Sequence, residues 1–388
     1  MERYKEYLDT LVENQAIRKL RNPVFQGNLI SEKQREMLNL SSNDYLGLGC
    51  DRTLWKEFTQ SEEFREDSEY FPGSACSSRL LTGNHSAYIS LEKKLATLYG
   101  SEAALVLNSG YHANLGILPA LAFKKDLIIA DKLVHASLID GIRLSFADSV
   151  RYTHNDLDRL ESILDSRRND YEHVFIVTES IFSMDGDCSD LPRLIALKKK
   201  YAAFLYLDEA HAVGVRGPNG LGLAEEWGCI AEIDFLVGTF GKAIASQGAF
   251  LISSGLIKEY LVNTMRPLIY STALPPWNLK WTEYVLDHLS SMKEKRRSLH
   301  SVSKLLKKRL GEIGMQTSGE SHIVPIYMYD NEKAVRISEY FREHGFYVLP
   351  IRSPTVPPGS ERLRISLNAS VTPEQIETFI ALCKPITE

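Results

Sequence analysis

The sequence predicts an α/β protein: a large domain with a mostly parallel sheet, followed by a smaller α+β domain. Three observations lead there. Between about residues 40 and 270, short β-rich apolar runs alternate with segments of helical periodicity, as in a parallel sheet covered on both faces. Pro267 and the pair Pro275-Pro276 then interrupt that alternation. Beyond them, a charge-rich helical stretch leads into about 100 residues of mixed strands and helices. A chain of 388 residues has room for two or three domains at about 150 residues each. The expected partition is an N-terminal helix and arm over 1–40, a large α/β domain over 41–280 and a small C-terminal domain over 281–388.

Taken in order, residues 2–21 place Tyr4, Leu8, Leu11, Val12 and Ile17 at near-helical spacing before Pro23. An amphipathic helix that packs onto something larger is expected. Strands are expected at Ala103–Leu107, Leu127–Ala130, His173–Val177, Phe204–Leu207, Phe235–Gly238 and Ala249–Ile252. Helical patterns such as Ser90–Tyr99 and Leu191–Lys200 fill most of the gaps. After the proline break, Glu283–Leu310 reads as one long helical stretch. Strands near Ile323–Met328, Tyr347–Leu349 and Leu363–Leu367 follow, with helices near Glu332–His344 and Pro373–Leu382. The proline-rich run Ser353–Gly359 is a stiff loop of the kind that holds a side chain in one place.

Composition excludes several classes. Apolar residues make up 44% and charged residues 24%, ordinary values for a globular core without staples. With 45 basic against 50 acidic side chains, a net charge of −5 gives no field favouring nucleic acid or an anionic membrane. The five cysteines are scattered and never paired as Cys-x-x-Cys, so reduced thiols in a cytoplasmic protein are expected, with no disulfide framework and no metal site. The charged amino terminus and the lack of an apolar run near about 18 residues argue against secretion or insertion.

In open α/β sheets, ligands bind beyond the carboxyl ends of the strands, so the polar residues that follow each apolar run carry the information. Four places qualify. After Ala104–Leu107 come Asn108-Ser109-Gly110-Tyr111 and a helical pattern, suited to offering backbone N–H groups to a phosphate or forming a simple turn. After Val177, Thr178-Glu179 leads into Ser183-Met184-Asp185-Gly186. After Phe204–Leu207 come Asp208 and His211, either a holder for a cationic ring nitrogen and a nearby oxygen, or a turn cap and a core histidine. After Phe235–Gly238, Thr239-Phe240-Gly241-Lys242 sets a lysine on a tight turn, as an amine nucleophile or a surface residue. Lys242 lies 34 residues beyond Asp208, room for a loop and one further strand, so both can reach one pocket.

As a set these residues resemble the α-oxoamine synthases among the fold type I pyridoxal-phosphate enzymes. The resemblance spans nearly the whole chain, through Leu40–Gly47, Asp131–Ser137, Ser183–Gly186, Asp208–His211 and Gly238–Lys242. It implies pyridoxal 5'-phosphate on Lys242, which would also move the α-proton of the bound amino acid. Asp208 would pair with the ring nitrogen, His211 with the ring's phenolic oxygen, and His135 would stack on its face; Lys242, Asp208 and His135 form the implied catalytic set. Gly110, Tyr111 and Thr239 would contact phosphate and ring edge, Glu179 and Ser183 would complete the cofactor set, and Thr272 would be a phosphate ligand given by a second subunit. Arg364 would hold the amino-acid carboxylate, with Asn43 and His135 also on the substrate side. Arg18 and Thr355 would meet the acyl group.

Pro354-Thr355-Val356-Pro357 and Arg362-Leu363-Arg364 favour the family member that condenses L-alanine with a pimeloyl thioester, carried on CoA or a carrier protein, in biotin synthesis. A homodimer with shared active sites is implied as well. The chain departs from the family at Tyr88 and Val371, where histidine is common, and in Ala243–Gln247 after the lysine. Two alternatives stand beside this reading: a glycine C-acetyltransferase or another α-oxoamine synthase, and a non-catalytic scaffold subunit, against which Lys242, Asp208 and His211 all argue. A dinucleotide-binding dehydrogenase is disfavoured because no Gly-x-Gly-x-x-Gly opens a helix after the first strand.

Overall fold

The computed structural model describes residues 1–388 except 33, 63, 65–72 and 388. The chain forms two compact units. The smaller comprises Met1–Asp51, Ser183–Asp187 and Glu294–Glu388; the larger comprises Arg52–Phe182 and Cys188–Lys293.

The larger unit is organised by a seven-stranded sheet in the spatial order Ala103–Leu107, Ala249–Ser253, Phe235–Thr239, Phe204–Asp208, Val174–Glu179, Leu127–Asp131, Asp148–Tyr152. Ala249–Ser253 pairs antiparallel with both its neighbours, and every other pairing is parallel. Six strands therefore point the same way and end along one edge of the sheet. Ala103–Leu107, Leu127–Asp131 and Val174–Glu179 are buried at every residue, which is why each reads as an apolar run, up to Asp131 and Thr178-Glu179 at the carboxyl ends of the latter two. Helix Gly110–Leu121 sends Ala113, Ile117 and Leu118 into the same core as Leu105, Ile128, Val177 and Val237.

Asp148–Tyr152 is a strand that sequence reading does not anticipate. It lies at the sheet edge with one partner, buries only Tyr152, and has no apolar run to announce it. The expected helix Glu283–Leu310 is in fact two, Pro276–Leu289 and Lys293–Glu312. Ser291 Oγ donates to His288 O at 2.6 Å, a side-chain bond that competes with continued helix at the break.

The smaller unit holds an antiparallel sheet of Ile323–Tyr327, Arg362–Ser366 and Pro350–Ile351. A second sheet joins Val24–Gln26, Leu29–Glu32 and Arg35–Asn39 to Phe346–Tyr347. Helices Asn331–Glu343 and Pro373–Thr387 fall where periodicity places them. The N-terminal helix does not meet its expectation: it stops at Glu13 and buries no residue. Asn14 follows and Gln15 takes φ +53°, so the chain leaves helical space before Ile17. Tyr4, Tyr7, Leu8 and Val12 stand exposed on the chain as it is. Among the described residues no helix is long and apolar enough to cross a membrane.

Candidate active site

The sequence-predicted residues divide between the units. Gly110, Tyr111, His135, Glu179, Asp208, His211, Thr239, Lys242 and Thr272 belong to the larger; Arg18, Asn43, Ser183, Thr355 and Arg364 belong to the smaller.

In the larger unit the parallel sheet determines what meets what. Asp208 and Glu179 end adjacent strands and face each other in register. Lys242 follows the strand on the other side of Asp208, and its Nζ lies 2.7 Å from His211 Nε2. Asp208 is 5% exposed, His211 4% and Glu179 2%, so polar groups sit where the sheet leaves almost no water. Asp208 Oδ1 accepts from Ala210 N at 2.9 Å, the turn cap the sequence allowed, and its Oδ2 accepts from Asn114 Nδ2 at 2.7 Å. The cap therefore uses one oxygen of Asp208, and Asn114 holds the other. His211 turns to the lysine instead of acting as a plain core histidine.

Glu179 Oε1 accepts from His135 N at 2.5 Å. Burial pushes the Glu179 carboxyl well above the usual carboxylate range; Asp208 adds to the rise, and the Lys242 charge and the His135 N–H oppose it. His135 caps helix Ala136–Leu144, with Nδ1 accepting from Ser137 N at 3.2 Å. Desolvation of the ring holds its imidazole below the ordinary value, against the pull of Asp208.

Gly110 and Tyr111 open helix Gly110–Leu121, capped by Ser109 Oγ, which accepts from His112 N at 3.2 Å. First-turn amides have no intrahelical acceptor, and the helix dipole favours an anion there. Tyr111 is half exposed, and its hydroxyl donates to the Asp140 carboxylate, a partner the sequence does not announce. That hydrogen bond raises its phenol above the ordinary value. Thr239 Oγ1 accepts from Gly241 N (3.2 Å) and donates to Gly248 O (3.0 Å), closing the base of the lysine loop. Thr272 is exposed, and its carbonyl accepts from Asn108 Nδ2 at 2.7 Å.

In the smaller unit, Arg364 Nε donates to Ser183 O at 2.5 Å and its Nη1 to Asn43 Oδ1 at 3.3 Å. Ser183 and Asn43 thus orient Arg364. Arg18 Nη2 donates to Thr355 Oγ1 at 2.7 Å, joining the two residues expected to meet the acyl group. Arg352 donates to the carbonyls of Gln15 and Ile17, which fixes the backbone leading into Arg18.

Sequence reading assigns no role to Asn114, Ser137 or Tyr206. Tyr206 OH donates to Asn114 Oδ1 at 2.7 Å; Asn114 Nδ2 donates to Asp208 Oδ2 and, at 2.9 Å, to Ser137 Oγ; Ser137 Oγ lies 2.8 Å from His135 Nδ1. A chain of hydrogen bonds, buried from Tyr206 to Ser137 and ending at the exposed His135, therefore orients Asp208 and His135 together. A polar residue on an otherwise apolar helix face, one turn after Gly110, is the signal for Asn114. Tyr88, where the family often has histidine, is buried and accepts from Leu274 N at 2.7 Å.

An amine, a buried carboxylate and a helix N-terminus along one sheet edge match the aldehyde, ring nitrogen and phosphate of pyridoxal phosphate, so the residues present fit that cofactor. Residues 35–382 match the family aminotransferase class I and II, and the chain belongs to it. It is a pyridoxal-phosphate-dependent transferase of fold type I. The chain is 51% identical over 354 residues to 8-amino-7-oxononanoate synthase of Chlorobaculum parvum, covering 91% of this chain and 90% of that protein. Among solved structures, 8-amino-7-oxononanoate synthase from Francisella tularensis matches with TM-score 0.76 at 29% identity, covering 90% of this chain and 97% of that one. A serine palmitoyltransferase from S. paucimobilis with bound PLP matches with TM-score 0.90 at 29% identity, covering 98% and 96%.

Proposed function

We propose that the chain condenses L-alanine with a pimeloyl thioester, on CoA or a carrier protein, releasing CO2 and the thiol and giving 8-amino-7-oxononanoate for biotin synthesis. The observation that carries this reading is the grouping of Lys242, His211, Asp208 and Glu179 at one sheet edge in a chain half identical to a synthase of that name. When bound, pyridoxal phosphate supplies the electron sink that stabilises charge at the α-carbon of the amino acid.

The residues around it have separate tasks. Lys242 would hold the cofactor covalently, and its Nζ would be the base that takes the α-proton of the amino acid and later returns one. His211, 2.7 Å from that Nζ, orients it and donates to the cofactor's phenolic oxygen. Asp208 keeps a proton on the ring nitrogen, and Asn114 and Ala210 fix its two oxygens for that purpose. His135 would pack against the cofactor ring, its backbone N–H held by Glu179 and its Nδ1 by Ser137. The amides of Gly110 and Tyr111, with Thr239, take the phosphate. Arg364 takes the amino-acid carboxylate, oriented by Ser183 and Asn43. Arg18 and Thr355 take the acyl end, where the guanidinium pairs with the distal carboxylate of a pimeloyl group. The exposed position of Thr272 supports a role toward a second copy, giving a homodimer with shared sites.

The test is covalent mapping. The purified protein should be yellow, and borohydride followed by peptide mapping should put the cofactor adduct on Lys242. An adduct on another lysine, or none, defeats the reading.

A further inference from the structure

The loop that carries Lys242 contains a residue in a conformation its side chain disfavours. Ala245 has φ +50°, in the left-handed region where a Cβ is strained and glycine is the usual occupant. Such residues persist only where the surroundings over-determine them. Here the surroundings are specific. The indole Nε1 of Trp281 donates to Ala245 O at 2.9 Å. Next along the loop, Ser246 Oγ lies 2.7 Å from Thr282 Oγ1 and 2.7 Å from the Asn278 side-chain amide. Oriented so that both its ends are satisfied, that amide also meets the backbone of Gln247, its nitrogen 3.1 Å from the carbonyl and its oxygen 3.3 Å from the N–H.

Asn278, Trp281 and Thr282 share one face of helix Pro276–Leu289, at i, i+3 and i+4, and all three are buried. What they hold is the closure of the lysine turn. Ala245 N donates to Lys242 O at 2.9 Å and Ser246 N to Phe240 O at 2.9 Å. The indole is braced in turn by the rings of Trp55 and Phe58, 5.2 and 5.3 Å away. In a conformational equilibrium the strain in Ala245 is worth about five- to thirtyfold and the bond that holds its carbonyl about two- to thirteenfold, so neither is negligible beside the other.

We propose that Trp281, with Asn278 and Thr282, is a positioning residue that clamps the strained Ala245 carbonyl and so keeps Lys242 in its working position. This rests on the reading of Lys242 as the cofactor lysine. Trp281 acts through the loop and not on reacting atoms. The chain's unusual Ala243–Gln247 stretch thereby acquires a partner: it carries an alanine where a glycine would need no clamp.

Trp281→Phe removes the N–H and keeps an aromatic ring against Trp55 and Phe58. On the holoenzyme, three readouts are compared with wild type: amide exchange of the peptide spanning 240–248, the pH midpoint of the visible cofactor band, and kcat against the KM for alanine. The clamp predicts exchange faster by about fivefold, a displaced midpoint and a kcat lowered by about fivefold at nearly unchanged KM. Ala245→Gly, which removes the left-handed penalty, should restore all three in the double variant. No change in the Phe variant, or a defect that Ala245→Gly does not relieve, overturns the proposal. Should Trp281→Phe not fold, Thr282→Val must give the same changes in smaller measure, again relieved by Ala245→Gly; their absence overturns it equally. An adduct mapped to a different lysine defeats the underlying reading, whereas an adduct on Lys242 with an unaffected Phe variant defeats only the clamp.

Discussion

Asp208→Asn separates what the carboxylate does for the fold from what it does for the chemistry. Both oxygens accept from fixed donors, Oδ1 from Ala210 N at 2.9 Å and Oδ2 from Asn114 Nδ2 at 2.7 Å. An amide has only one acceptor end, so in either orientation its NH2 points at a buried donor. That costs about 1–3 kcal/mol, and at about 2–4 °C per kcal/mol for a unit of this size the melting temperature should fall by roughly 2–12 °C. The fold survives. Catalysis should lose more, because a neutral amide cannot hold a proton on the ring nitrogen. The lost charge-assisted hydrogen bond alone is worth about 1.5–3 kcal/mol, or roughly ten- to a hundredfold, and the weakened electron sink multiplies that loss. Thiol release at saturating alanine, with circular dichroism to confirm folding, makes the measurement. A folded Asn variant that keeps more than about a tenth of the wild-type rate, a loss under about 1.4 kcal/mol, would refute the role given to Asp208.

Glu179→Gln tests the buried carboxyl pair through pH. Because the folded Glu179 carboxyl titrates well above its ordinary 4.5, its contribution to stability is present below that value and lost as pH rises through the raised one. In cofactor-free protein the Gln variant should therefore gain on wild type as pH rises above about 4.5, read by urea unfolding at several pH values, and a constant difference would contradict the account. Arg18→Ala should raise the KM for a pimeloyl thioester about tenfold or more and leave an apolar acyl thioester of similar length almost unaffected, since only the former has a carboxylate to lose. Lys242→Ala and Thr272→Val, the latter with a further block at the same contact, should each be inactive alone and recover activity when mixed and allowed to exchange subunits. No recovery despite demonstrated exchange would argue against shared sites.

What could be read in advance follows from burial. Strands enclosed on both faces, such as Leu127–Asp131 and Phe204–Asp208, announce themselves as apolar runs, and the polar residues just beyond them point to the site. Asp208, His211 and Lys242 each allow a structural reading alone, and only as a set do they single out this sheet edge. The edge strand Asp148–Tyr152 was hidden because one-sided pairing asks for no apolar run. The hairpin Val24–Glu32 offered a short-range cue in Gly27-Asn28, where Gly27 takes φ +63°, but its first strand is exposed throughout. Residues that act through others were the least visible. Asn114 reaches Asp208 across 94 positions and Trp281 reaches Ala245 across 36, and no local pattern links such pairs. The break at Ser290–Met292 depends on side-chain hydrogen bonding, which periodicity does not register.

The most direct test of the central claim is the product itself. Purified protein supplied with pyridoxal phosphate, L-alanine and pimeloyl-CoA, or the pimeloyl carrier protein, should form 8-amino-7-oxononanoate by mass spectrometry, with one thiol and one CO2 released per product. Lys242→Ala should form none. Equal or faster turnover of glycine with acetyl-CoA, or no product from any amino acid and acyl thioester by a protein whose Lys242 carries the cofactor, would contradict the account.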